Sequence, residues 1–230
     1  MICSGTDPYQ PLEKSVGATR TCIEALVKHD FPIFVFTKSN LITRDIDLFK
    51  KTDAVVSMTV TTLDREKQLL IEPDAPSPEE RLSALSELSS EGVKTVARID
   101  PLIPTLTDSE VELKTLVTAL ADAGARHITT STLKPVVGFF PLLENVDSEL
   151  KARLKPIYMD GELRVGYRYL NVRQRREMIT RVAKQAKQAG LTFGSCREGF
   201  PELNTAACDG ASYFSGDEFA KSLKTSKHQT

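Results

Sequence analysis

Apolar and polar positions along this 230-residue chain follow two alternating rhythms. Short runs of apolar and β-branched residues predict strands at Pro32 to Thr37 (PIFVFT), Ala54 to Val60 (AVVSMTV), Val93 to Ile99 (VKTVARI) and His127 to Thr132 (HITTST). The first is apolar on successive residues, the pattern of a parallel strand covered on both faces. Between the runs, apolar residues return at helical spacing. Leu82, Leu85 and Leu88 recur every third residue between Pro78 and Glu91, and Gly92 stands where a C-terminal cap belongs. Leu113, Leu116, Val117, Leu120 and Ala121 line one face of a second helix, with Asp108 as its expected N-terminal cap and Gly124 as its stop. A helix from about Leu12 to Lys28 is expected to turn Val16, Cys22, Ile23 and Leu26 inward, which makes Cys22 a core residue. Asn171 to Ala189 is a strong helix, with Met178, Ile179, Val182, Ala183 and Ala186 on one face and Gly190 at its end.

Strand alternating with helix predicts βαβ units and a parallel sheet, an α/β fold. The helix at Leu12 follows a loop, and that loop should follow a strand of which Met1–Ser4 is the remainder. An open sheet edge is therefore expected there, for an upstream segment or a partner to cover. The second half is less regular. Leu133 to Leu170 holds two apolar patches, PVVGFFPLL and YRYL, without a period, and is expected to wrap the sheet as an extension; LTFGS reads as a short strand. The expected division is a barrel-like part at 1–133, an extension at 134–215 and a frayed tail at 216–230.

Composition changes this picture little. At 40% hydrophobic and 27% charged residues with a net charge of −1, nothing global calls for nucleic acid, membrane or a strongly charged partner. No apolar run has the length of a membrane span and the start is unlike a signal peptide, so cytoplasm is the expected compartment. Four irregularly spaced cysteines do not form a disulfide framework.

In a parallel β/α sheet, ligand chemistry gathers at the C-terminal ends of the strands. Those ends read Ser4-Gly5-Thr6-Asp7, Thr37-Lys38-Ser39, Ser57 to Thr62, Arg98-Ile99-Asp100 and Thr129 to Thr132. Cations facing a carboxylate and hydroxyls facing a ribose would suit a zwitterionic, hydroxylated ligand. Polar turns alone also end strands this way. Lys38 has a second reading as a Schiff-base lysine. IEPDAPSPEER (Ile71 to Arg81) either folds over the pocket or serves as a stiff lead into the next helix. Cys196 and Cys208 supply at most half a metal site. Arginines from Arg173 to Arg181, beside Tyr167 and Tyr169, fit either a nucleic-acid contact or a solvated helix face.

Taken together, SGTDPYQPLE, the pair Thr19-Arg20, FPIFVFTKSNLITRDIDLF, SMTVTTLD, IEPDAPSPEERLSAL, ARIDPLIPTLTD and ADAGARHI resemble the radical S-adenosylmethionine proteins. The subgroup is the one similar to spore photoproduct lyase, and the likeness runs from residue 3 to about 132. It implies a partial (β/α)6 TIM-like barrel, here with the first strand and helix missing, followed by the C-terminal extension. It also implies two cofactors, S-adenosylmethionine and a [4Fe–4S] cluster held by a C-x3-C-x2-C motif. Reduction of the first by the second yields a 5′-deoxyadenosyl radical that takes hydrogen from substrate. By the same resemblance, Ser4, Gly5, Thr6 and Asp7 meet the cofactor's amino group and Lys38 its carboxylate. Ser57 and Thr59 face the ribose, and Arg98 is a further contact. The resemblance assigns no catalytic residue.

The chain departs from the family in one respect: no C-x3-C-x2-C occurs in it. The expectation is a cofactor-binding portion, inactive alone, whose partner is an N-terminal fragment carrying the cluster motif. The rivals are a β/α-barrel lyase using Lys38 and a non-catalytic nucleic-acid-binding module.

Overall fold

A computed structural model describes residues 1–2, 5–208 and 210–214. The chain begins with two short helices, α1 (Glu13–Val16) and α2 (Ala18–Lys28), then β1 (Ile33–Thr37), α3 (Ile46–Phe49) and β2 (Ala54–Thr59). There follow α4 (Arg65–Ile71), α5 (Pro78–Ser90), β3 (Lys94–Leu102), α6 (Glu110–Asp122) and β4 (His127–Thr132). The irregular second half contributes α7 (Phe139–Val146), α8 (Ser148–Met159) and a small hairpin of β5 (Leu163–Arg164) and β6 (Tyr167–Arg168). The last elements are α9 (Val172–Gln188) and β7 (Thr192–Ser195).

β1, β2, β3, β4 and β7 form one parallel sheet in that order. The α/β reading and its four main strands hold. β7 pairs with β4, so the sheet runs on past residue 133 into the segment expected as an extension. At the other edge, Ile2 makes a single parallel bridge to Val35, its N–H donating to the Phe34 carbonyl at 2.7 Å.

Alternation along each strand sorts side chains to two faces. Ile33, Val35, Val56, Met58, Ala97, Ile99, Ile128 and Phe193 join Leu85, Leu88, Leu116, Leu120, Ile179 and Val182 of the helices in one continuous core. The alternate residues Phe34, Val55 and Val96 form a smaller cluster on the second face, where Phe36, Tyr213 and Phe214 pack against them. α5 starts sharply. The Ser77 hydroxyl accepts from the Glu80 N–H at 3.2 Å, and the Glu80 carboxylate accepts from the Ser77 N–H at 2.7 Å, with Pro78 in the first turn.

Two local expectations are corrected. The helix expected over Leu12 to Lys28 breaks at Gly17, whose φ of 69° lies in the left-handed region. Glu13 folds back to accept from the Thr19 and Arg20 N–H groups at 2.9 and 3.3 Å, satisfying the new helix start. The break resets the helical phase, so Ile23 is buried while Val16 and Cys22 are exposed. Ser109, not Asp108, precedes α6. Asp108 is drawn away: it accepts from the Thr105 N–H at 2.8 Å and pairs with Arg181 at 3.3 Å.

Candidate functional site

The loop carrying Gly5, Thr6 and Asp7 is fastened to the C-terminal end of β1. One Asp7 oxygen accepts from the Thr37 hydroxyl at 2.7 Å and from the Tyr9 N–H at 2.9 Å; the other accepts from the Lys38 N–H at 2.7 Å. Two residues on, the Tyr9 hydroxyl donates to the wholly buried Asp45 at 2.9 Å. Asp45 also pairs with Arg20 and Arg44, each at 2.9 Å. Burial, then the Asp45 charge, pushes the Tyr9 hydroxyl far above the usual phenol range, so it acts as a permanent donor. Arg20 pairs with Asp47 as well, at 2.9 Å. Many of the motif residues SGTDPYQPLE, Thr19-Arg20 and TRDID thus tie one loop to one strand end. Ser4 lies outside the described residues, whereas Gly5 and Thr6 are exposed at the tip.

Lys38 stands beside this loop. Its ammonium pairs with Glu72 at 3.1 Å, and the same Glu72 oxygen accepts from the buried Thr61 hydroxyl at 2.7 Å. The other Glu72 oxygen meets Arg81 at 2.6 Å, and Arg81 also donates to the Thr59 carbonyl at 3.0 Å. Burial opposes ionisation of Glu72, but Lys38, Arg81 and the Thr61 hydroxyl together hold it below the usual carboxylate range. A cleft of about 1000 Å³ opens here, lined by Asp7, Lys14, Lys38, Arg44, Glu72 and Glu80 among others. IEPDAPSPEER does both things expected of it: residues 71–76 wall the cleft, and Ser77 caps α5.

Ser57, Thr59 and Arg98 do not line that cleft; they share the second face of the sheet. Thr59 and Arg98 are direct register partners on β2 and β3, and Ser57 lies opposite Phe36 of β1. The Arg98 guanidinium sits 5.1 Å over the Phe36 ring and pairs with Asp100, which accepts from the Ser131 hydroxyl at 2.6 Å. Ser57 is 1% exposed, and its hydroxyl has no hydrogen-bond partner among the described residues. The structure therefore splits the predicted set in two: Gly5, Thr6, Asp7 and Lys38 at one strand end, Ser57, Thr59 and Arg98 on a sheet face.

Glu72, Arg81 and Asp45 were not singled out from the sequence. Glu72 and Arg81 lie within the quoted IEPDAPSPEER, but nothing local marks a glutamate that pairs with a lysine 34 positions away in the chain. The arginines of α9 are engaged with acids. Arg173 pairs with Glu177 at 3.0 Å, Arg176 with Glu202 at 2.7 Å and Arg181 with Asp108 at 3.3 Å; buried Arg175 lies 3.5 Å from Glu198. Among the described residues, no cluster of three His, Cys, Asp or Glu side chains is arranged to hold a metal ion, and no helix is long and apolar enough to cross a membrane.

The fold recurs in solved structures of other proteins. Spore photoproduct lyase with bound S-adenosylmethionine and dinucleoside spore photoproduct superposes with a TM-score of 0.65 at 15% identity, over 79% of this chain and 56% of that one. Streptococcus suis SuiB bound to S-adenosylmethionine superposes with a TM-score of 0.57 at 14% identity, over 91% of this chain and 43% of that one. Such identities establish a shared fold and no more. In sequence, the chain is 39% identical over 110 residues to an uncharacterised protein of Methanocaldococcus jannaschii, covering 47% of this chain and 42% of that protein. It is 28% identical over 211 residues to an uncharacterised protein of Mycobacterium tuberculosis, covering 88% and 60%. A Pseudomonas phage M6 protein named radical SAM Nα-GlyT isomerase is 22% identical over 200 residues, covering 85% and 42%. The chain spans 42% to 60% of the length of these relatives. No family model matches it.

Proposed function

We propose that the second face of the sheet and the C-terminal end of β1 hold S-adenosylmethionine, and that the chain is the cofactor-binding part of a radical enzyme resembling spore photoproduct lyase, built on a partial β/α barrel. The buried, unpartnered hydroxyl of Ser57 carries the reading. Leaving such a group unsatisfied costs about 1–3 kcal/mol, and a ligand hydroxyl such as a ribose oxygen would remove that cost. Thr59 stands on the same face, Arg98 supplies a cation beside it, and Phe34 and Phe36 keep water from the strand surface.

Lys38 faces the ligand carboxylate in this reading, and Gly5 and Thr6 its amino group. Asp7 already accepts three hydrogen bonds, so its part is to position the loop. When reduced by one electron, S-adenosylmethionine supplies a carbon-centred radical able to take hydrogen from substrate. The residues do not fit the other family cofactor: the sequence has no C-x3-C-x2-C, and no cluster of ligands is found among the described residues. We therefore assign this chain binding without cleavage, with a segment carrying the motif as its partner beside β1.

Saturation-transfer NMR, which detects weak binding, tests the reading. Transfer to the adenosyl protons of S-adenosylmethionine is expected, with affinity about fivefold weaker in Ser57→Ala and at least tenfold weaker in Arg98→Ala. Absence of transfer at millimolar ligand overturns it.

A further inference from the structure

Lys38 is held at both ends. Its N–H donates to Asp7 at 2.7 Å, and its ammonium pairs with Glu72 at 3.1 Å. Glu72 is itself fixed at backbone and side chain. It closes the C-terminal end of α4, where its N–H donates to the Gln68 carbonyl at 2.7 Å. The buried Gln68 amide donates back to the Glu72 and Ala75 carbonyls at 2.5 and 3.3 Å. Glu72 Oε1 accepts from the Thr61 hydroxyl at 2.7 Å, and Oε2 lies 2.6 Å from Arg81. Arg81 in turn donates to the Pro76 carbonyl at 2.8 Å and to the Thr59 carbonyl at 3.0 Å. One ladder of partners therefore runs from the end of β2 to the end of β1.

Two cations flank one acid, so the ladder carries one net positive charge, and Lys38 is its open end. The Lys38 side chain is 39% exposed, against 6% for Glu72 and 1% for Arg81. An ammonium has three N–H donors, and Glu72 takes one of them, which leaves donors for a ligand. Without Glu72 the lysine stem would sample many rotamers, and ordering it on binding would cost a ligand on the order of tenfold in affinity. Asp74 and Glu80, exposed acids on the wall of the same cleft, would then compete for the ammonium.

We propose that Glu72 is the positioning residue for Lys38: it aims the ammonium at the carboxylate of S-adenosylmethionine, and Arg81 balances its charge so that it does not repel that carboxylate. The inference rests on the assignment of S-adenosylmethionine to this site, and adds to it the part played by Glu72 and Arg81, which act through Lys38. An ion pair that only fastened residues 71–76 to β2 would, once broken, weaken every ligand of the site alike. Loss of positioning is felt by the carboxylate alone.

The test compares affinities for S-adenosylmethionine and for its decarboxylated analogue, which lacks only that group, by saturation-transfer NMR titration. The wild type is expected to prefer the carboxylate form about tenfold, the effect of one charge-assisted hydrogen bond. In Glu72→Gln the preference falls to about twofold, as it does in Lys38→Met, while affinity for the decarboxylated analogue is unchanged. Glu72→Gln leaves the Arg81 guanidinium buried without an acid, so the double variant Glu72→Gln with Arg81→Met, which buries no charge, is measured beside it and is expected to lose the preference equally. A preference kept or increased in the folded variants, or a fall in affinity shared by both ligands, overturns the inference. Equal binding of the two ligands by the wild type overturns it while leaving the ribose contacts standing. Binding of neither ligand overturns it together with the cofactor assignment.

Discussion

Glu72 shows how much of this molecule is decided at single side chains. Its carboxylate is nearly buried between Lys38, Arg81 and Thr61, and its ionised form is favoured despite burial. A carboxylate held below its unfolded value adds stability above about pH 4.3, and the contribution fades as pH falls through the lower folded value. Thermal midpoints measured from pH 7 to pH 3 are therefore expected to fall more steeply in the wild type than in Glu72→Gln, with the two curves converging at the acid end. Parallel curves would mean that the ion pair contributes nothing. Gly194 is a second such position. Gly194→Ala places a methyl group 2.6 Å from the Cys208 Cα, and backbone cannot yield as a flexible side chain would. It is expected to lower the thermal midpoint by several degrees, read by circular dichroism, and an unchanged midpoint would mean that the backbone at 208 is free to move away.

Among the elements, the strands of the parallel sheet were readable because burial on both faces writes consecutive apolar or β-branched residues into 33–37, 54–59 and 127–132. The helices α5, α6 and α9 were readable from their buried faces and closing glycines. α7 was not, since none of its residues is buried, and neither were β5 and β6, two residues each, too short to show alternation. Nothing within four residues of β7 states which sheet edge it joins; that is settled by packing of α9 on β4 and by a buried glutamate beyond the strand. Glu198 accepts from the Thr132 N–H at 2.7 Å and from the Lys134 ammonium at 2.6 Å, while its own carbonyl accepts from Arg175 at 2.9 Å. Strand-end hydroxyls and cations of the site were legible as polar endings to apolar runs, whereas the partners that orient them come from distant segments. Glu198→Ala leaves the buried Arg175 guanidinium and the half-buried Lys134 ammonium without their carboxylate and is expected to cost about 3–5 kcal/mol, read as a lower urea midpoint with unchanged slope.

For the whole molecule, a parallel sheet covered by helices on one face leaves its second face to residues 204–208 and 210–214 and to whatever binds beside Ser57, Thr59 and Arg98. The roomy cleft at Lys38 lies at the strand ends, and the orphaned hydroxyl lies on the sheet face. The proposed cofactor has a charged end and a ribosyl end suited to one region each. Backbone amide shifts on titrating the isotope-labelled protein with S-adenosylmethionine distinguish this arrangement from binding in the cleft alone. The account predicts shifts at Lys38, Ser57, Thr59 and Arg98 together. Shifts confined to cleft residues such as Lys14, Arg44 and Glu80, with Ser57 and Thr59 unmoved, would contradict it.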